Sequence, residues 1–149
     1  ALPSMSQKKR RAIPRFNTPI VETHCHLDYL EGDAVDAVLQ DAFAAGIERI
    51  VTISVSADNL DTVRQLAESH PSIWCTQGIH PHEANSWNTA LAERVTAGCA
   101  HSRVIAVGEI GLDYHYNHAD RASQLKAFEE QLSIKVLRTS LVRKWKILN

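Results

Sequence analysis

Four times in succession, a short run of β-branched and apolar residues gives way to a longer stretch with helical periodicity. The strand-like runs are 20–23, 47–55, 73–79 and 104–110, and the helical stretches are 34–45, 59–69, 88–100 and 123–136. Successive βα units of this kind dictate parallel strands joined by right-handed crossovers, with helices on the outside. Residues 34–45 set Val35, Val38, Leu39, Ala42 and Phe43 on one face and stop at Gly46. Ser56 or Asp58 stands ready to cap 59–69, whose apolar stripe is Leu60, Val63, Leu66 and Ala67. The last helix is expected to face inward with Leu125, Phe128 and Leu132. The fold class is α/β, and two architectures fit it: a small open doubly wound sheet, or the first half of a (βα)8 barrel. Phosphate-loop and dinucleotide fingerprints are absent.

Composition narrows the function classes. At 149 residues, 44% hydrophobic and 22% charged, the chain reads as one soluble globular domain. Its apolar runs fall short of the roughly 20 residues that cross a bilayer, so a membrane partner is not expected. Three unpatterned cysteines, Cys25, Cys75 and Cys99, suit reduced thiols in a cytoplasmic protein. The net charge of -1 conceals an asymmetry. Residues 1–19 carry five bases and no acid, and 135–149 another five bases and no acid, leaving six Lys/Arg and all seventeen Asp/Glu between them. We expect 1–19 to be a disordered basic lead-in and 135–149 an atypical basic tail, flanking a domain over 20–134. An acidic body repels a polyanion, so any nucleic-acid contact must be local, through a metal or a basic patch.

Chemistry-bearing residues gather at the ends of the strand-like runs. In Thr23-His24-Cys25-His26-Leu27, the two histidines at i and i+2 share one face and Cys25 takes the other, facing the helix layer as a small hydrophobe. Paired imidazoles suit a divalent metal, although two solvated histidines on an exposed strand would look the same. Glu109 follows Ile105 and Val107 by alternation; a carboxylate on an apolar face calls for a salt bridge or a metal. With His24 and His26 it completes a mixed N/O set for Zn, Mn or a similar ion. His80 and His82 flank Pro81 just past the third strand. Pro81 aims His80, either at a substrate phosphate or into a structural hydrogen bond, whereas His82 reads as structural. Asp113 can bind substrate, cap the next segment or orient a ligand histidine, the last being preferred. Tyr114, His115, Tyr116 and His118 form a loop at the site mouth, suited to base stacking or to plain hydration. His70 and His101, at helix ends, read as caps or solvated side chains.

The segments Thr23-His24-Cys25-His26-Leu27-Asp28, Gly78-Ile79-His80-Pro81-His82 and Gly108-Glu109-Ile110-Gly111-Leu112-Asp113-Tyr114 resemble the three N-terminal signatures of the TatD family. Its members are metal-dependent hydrolases of the amidohydrolase-like superfamily, several of them deoxyribonucleases. The resemblance runs from about residue 20 to residue 134, with the three motifs in family order. It implies a TIM-type barrel, here about half of one, with parallel strands and outer helices. It also implies two divalent metal ions (Zn, Mn or Mg) in the complete fold, His24 and His26 on one of them and Glu109 shared. The family's later ligands, two histidines on the following strands and a late aspartate, have no counterpart after Ile134, as a shortened reading frame would give.

The expected site therefore comprises His24, His26 and Glu109 as metal ligands, Glu109 also as the catalytic carboxylate, and His80 and Asp113 on the substrate. The expected substrate is DNA or another phosphodiester. Two alternatives stand beside a nuclease: an inactive half-barrel that binds metal or a protein, and a related amidohydrolase acting on an ester or amide. A half-barrel also leaves an open sheet edge through which the chain can self-associate.

Overall fold

The structure, a computed structural model, describes residues 11–12 and 14–136. The expected lead-in and tail lie mostly outside these residues. Four parallel strands, β1 (Ile20–Cys25), β2 (Ile47–Thr52), β3 (Ile73–Gln77) and β4 (Val104–Val107), pair in the order β1-β2-β3-β4. Between and after them run α1 (Ala34–Ala44), α2 (Leu60–Ser69), α3 (Thr89–Gly98) and α4 (Arg121–Leu132). Sequential order with parallel pairing is the arrangement of one side of a βα barrel.

The apolar stripe of α2 does what its periodicity requires. Leu60, Val63 and Ala67 are buried against Ile73 and Cys75 of β3, and Leu91, Val95 and Cys99 join the same core. Residue Gly46 ends α1 at φ +102, where a side chain would be strained. Neither Ser56 nor Asp58 caps α2. Asn59 takes the cap position, and its Oδ1 instead accepts from the N–H groups of Val55 and Ser56.

Two expectations are corrected. First, β2, β3 and β4 stop two or three residues short of the expected ends, and beyond them side-chain hydroxyls join isolated backbone bonds such as Ile53 N to Cys25 O and His80 N to Val55 O. Thr52 Oγ1 accepts from Leu27 N at 3.2 Å, and Thr76 Oγ1 from Ser54 N at 3.1 Å. The buried Ser54 hydroxyl lies 3.1 Å from Gly78 O, 3.0 Å from Gly108 O and 2.7 Å from Gly78 N, tying together the loops that follow β2, β3 and β4. A Cβ on Gly78 would lie 2.6 Å from Gly108 C, so these loops approach only because residue 78 is glycine.

Second, α4 faces inward with Gln124, Ala127 and Gln131, while Leu125 and Leu132 are exposed and Phe128 is half-buried. The reason is hydrogen bonding. Loop N–H and C=O groups beneath α4 need partners, and the two glutamines supply both donors and acceptors. Val38 and Phe43 of α1 are exposed as well, so only Leu39 of that helix is fully buried.

Candidate metal centre

The C-terminal ends of the strands form the floor of an open cleft of about 390 Å³ whose lining includes His24, His26, His80, His82 and Glu109. β1 presents His24, and the residue after its end is His26; their rings meet edge to face at 5.3 Å. Between them, Cys25 turns away to pack on the core, its thiol donating to Val51 O at 3.6 Å. Burial first, then the nearby Glu22 and Asp28 carboxylates, push that thiol up to about 11, so it remains protonated at neutral pH.

Glu109 lies past the end of β4 on the cleft side. Its Oε2 is 3.5 Å from His24 Nε2, and its Oε1 is 3.7 Å from His80 Nε2. The carboxylate is 34% exposed, so it escapes the burial cost expected from its place after Ile105 and Val107. Ligand atoms of His24, His26 and Glu109 lie within 4.8 Å of one another. Donors about 2 Å from one ion stand at most about 4 Å apart, so a bound cation would draw these groups slightly closer together.

Hydrogen bonds assign the ring protons. His26 Nδ1 lies 3.3 Å from Ile53 O, and a carbonyl can only accept, so Nδ1 carries the proton and Nε2 is free as a donor atom for a metal. The same ring stacks on Tyr29 at 4.8 Å and 12°. His80 Nδ1 accepts from His82 N at 3.1 Å, so its proton is on Nε2, the atom facing Glu109. Burial lowers the His80 pKa against the opposing pull of Glu109.

Asp113 reaches neither His24 nor His26. Its Oδ2 accepts from His82 Nε2 at 2.6 Å and its Oδ1 from the N–H groups of His115 and Tyr116. The His82 hydrogen bond is the chief reason its carboxyl titrates below the usual carboxylate range. His82, read from sequence as structural, makes such a hydrogen bond and also lines the cleft. The signal for it was non-local: nothing in the sequence shows that Asp113 returns to this loop. His70 and His101 pair with Asp36 and Glu68 away from the cleft.

The TatD related DNase family profile matches residues 21–135. The chain is 35% identical over 99 residues to the 3'-5' ssDNA/RNA exonuclease TatD of Cronobacter turicensis, which spans 66% of this chain and 38% of that protein. It is also 35% identical over 105 residues to the protein of the same name from Pectobacterium carotovorum, covering 70% of this chain and 40% of the relative. Among solved structures, YJJV, a TatD homologue from Escherichia coli K12, superposes with a TM-score of 0.70 at 30% identity, over 76% of this chain and 45% of YJJV. A TatD family hydrolase from Entamoeba histolytica, at 20% identity and a TM-score of 0.62, shows the same fold over 80% of this chain and 46% of its own. The chain thus spans under half the length of these relatives, and the family match over 21–135 takes in all three motifs of this chain. With its strand order, its cleft and these matches in agreement, the chain belongs to the TatD related DNase family.

Proposed function

We propose that this chain holds a divalent cation between His24, His26 and Glu109, and that the surrounding cleft takes a phosphodiester of a nucleic-acid strand for hydrolysis. The observation that carries the reading is the convergence of two imidazoles and one carboxylate within 4.8 Å on the floor of an open cleft. This donor set suits Zn or Mn. A bound cation would supply Lewis-acid polarisation of a phosphoryl oxygen and an acidified water. The chain's own residues do the rest. Ile53 O holds His26 in the tautomer that leaves Nε2 bare, and Glu109 offers its second oxygen towards His80. The Nε2–H of His80 is a donor for a phosphate oxygen. Relatives named as 3'-5' ssDNA/RNA exonucleases support single-stranded ends as the substrate class.

Among the described residues, three donors converge here, so binding is expected to be weak and to involve one ion. Turnover by this chain alone is expected to fall far below that of a full-length relative. Isothermal titration with Zn or Mn, alongside digestion of a 3'-labelled single strand, tests this. One site is expected, lost in His24→Ala, with metal-dependent but slow cleavage. Equal metal affinity in that variant would remove the histidine pair from the site.

Two further parts of the reading rest on packing. β1 and β4 are the outer strands among the described residues, and Val38, Phe43, Leu125 and Leu132 are exposed, which supports self-association. Size-exclusion chromatography should show an oligomer, and a clean monomer would refute it. Unpaired Cys25, Cys75 and Cys99 support a cytoplasmic location. No helix among the described residues is long and apolar enough to cross a membrane.

A further inference from the structure

The cleft has a second wall that the metal-centre reading does not use. His82 lines it, and its Nε2 donates to Asp113 Oδ2 at 2.6 Å. Behind Asp113 stands Gln124 of α4, fully buried. Its Oε1 accepts from Asp113 N at 2.7 Å, and its Nε2 donates to Asp113 O at 3.0 Å and to Ala119 O at 2.9 Å. One loop over, the equally buried Gln131 accepts from Ile79 N at 2.7 Å and donates to Ile79 O at 3.2 Å, next to His80. Two inward glutamines on α4 thereby grip both loops that carry this wall.

As a stabilising contact alone, the His82–Asp113 pair would contribute little, because its side chains remain 31% and 24% exposed and water screens such pairs. What the network does achieve is orientation. Buried amides fix the Asp113 backbone, two N–H groups fix its free oxygen, and the remaining oxygen fixes the His82 ring. Nδ1 of that ring has no hydrogen bond among the described residues. An imidazole aimed by a carboxylate, with its other nitrogen unused, is arranged to meet a ligand.

We propose that His82 contacts the substrate directly, presenting Nδ1 to a phosphate oxygen of the strand, with Asp113 and Gln124 as its positioning residues. This rests on the reading of the cleft as a phosphodiester site. The ring then lies between two anions and binds as the imidazolium, both nitrogens donating. Its other neighbours are His80 at 4.4 Å, His118 at 4.5 Å and Tyr116 at 5.9 Å between ring centroids. Among the described residues, Asp113 is the one carboxylate hydrogen-bonded to His82.

The test uses the full chain with EDTA present, the dinucleotide TpT as probe, and imidazole 1H–15N correlation spectra. TpT keeps one negative charge across the working range, and without metal it is not consumed. The His82 ring signals should move towards the imidazolium pattern as TpT is added. His82→Gln should weaken TpT about tenfold, the worth of one charge-assisted hydrogen bond. Asp113→Asn should weaken it severalfold and abolish the imidazolium pattern. Zn affinity, measured separately without EDTA, should stay within about twofold in both variants, because neither residue is a ligand. Unchanged TpT affinity in His82→Gln overturns the inference, as do shifts confined to other histidines or a parallel loss of Zn affinity. Failure of the parent to bind Zn would count against the metal centre and not against His82.

Discussion

The two ends of the sheet hold charged groups under opposite conditions. At the N-terminal end, the Arg103 guanidinium donates to the carbonyls of Ala67, His70, Pro71 and Ile73 and lies 4.1 Å from the centre of the Trp74 ring. At the C-terminal end, Glu109 meets His24 at 3.5 Å and His80 at 3.7 Å, distances too long for good hydrogen bonds, with the His24 side chain 52% exposed. One end is a charge held by four backbone carbonyls; the other is a set of donors and acceptors held near each other and left open. In βα architectures this division separates the end that stabilises from the end that reacts. Removing the charged group at the lower end should therefore change stability without touching ligand binding, and removing those of the open set at the upper end the reverse.

The largest expected effect is at the junction between loops. Gly78→Ala puts a Cβ into Gly108, and chemical denaturation should register a loss of about 3 kcal/mol. A loss below about 1 kcal/mol would mean that the loops do not approach as described. Next, His24→Ala should weaken Zn by about 100-fold or more, since even residues behind a ligand can cost 10–100-fold, with the unfolding midpoint unchanged. Arg103→Ala should do the opposite. Four lost carbonyl contacts should cost about 2 kcal/mol while Zn affinity stays within error. Gln131→Leu leaves the buried Ile79 N–H and C=O unpaired and should cost about 1.5 kcal/mol. The smallest effect concerns the thiols. Burial raises Cys25 to about 11, Cys75 to about 12 and Cys99 to about 11. At pH 8 the folded chain should therefore carry almost no thiolate and react slowly with iodoacetamide, whereas the unfolded chain reacts freely. Rapid labelling of the native state would contradict the burial.

What could be read from sequence follows from how local each feature is. Alternating strand and helix patterns are local, and they place β1 to β4 and the buried stripe Leu60, Val63 and Ala67 correctly. The spacing in His24-Cys25-His26 is local too, and so is the turning of Cys25 to the core. Strand ends are not local. Residues 53–55, 78–79 and 108–110 look like strand but leave the regular ladder, where Ser54, Thr52 and Thr76 hydroxyls share the backbone groups of neighbouring loops with isolated backbone bonds. Periodicity also misreads α4: Leu125 and Leu132 suggest an apolar inner face, yet the neighbours demand hydrogen bonds and Gln124 and Gln131 turn inward. The two glutamines seven residues apart were the available sign. The hydrogen-bond partner of His82 is non-local for the same reason, since Asp113 lies on another loop, 31 residues on.

The proposed centre stands or falls on which atoms meet a bound zinc ion. X-ray absorption at the zinc K-edge on the Zn-loaded chain measures this directly. The account predicts a light-atom shell at about 2.0–2.1 Å with the multiple-scattering signature of two imidazoles, and no sulfur. It also predicts that the imidazole signature diminishes in His26→Ala. A sulfur shell at about 2.3 Å would put Cys25 on the metal and reverse the strand orientation on which the site depends.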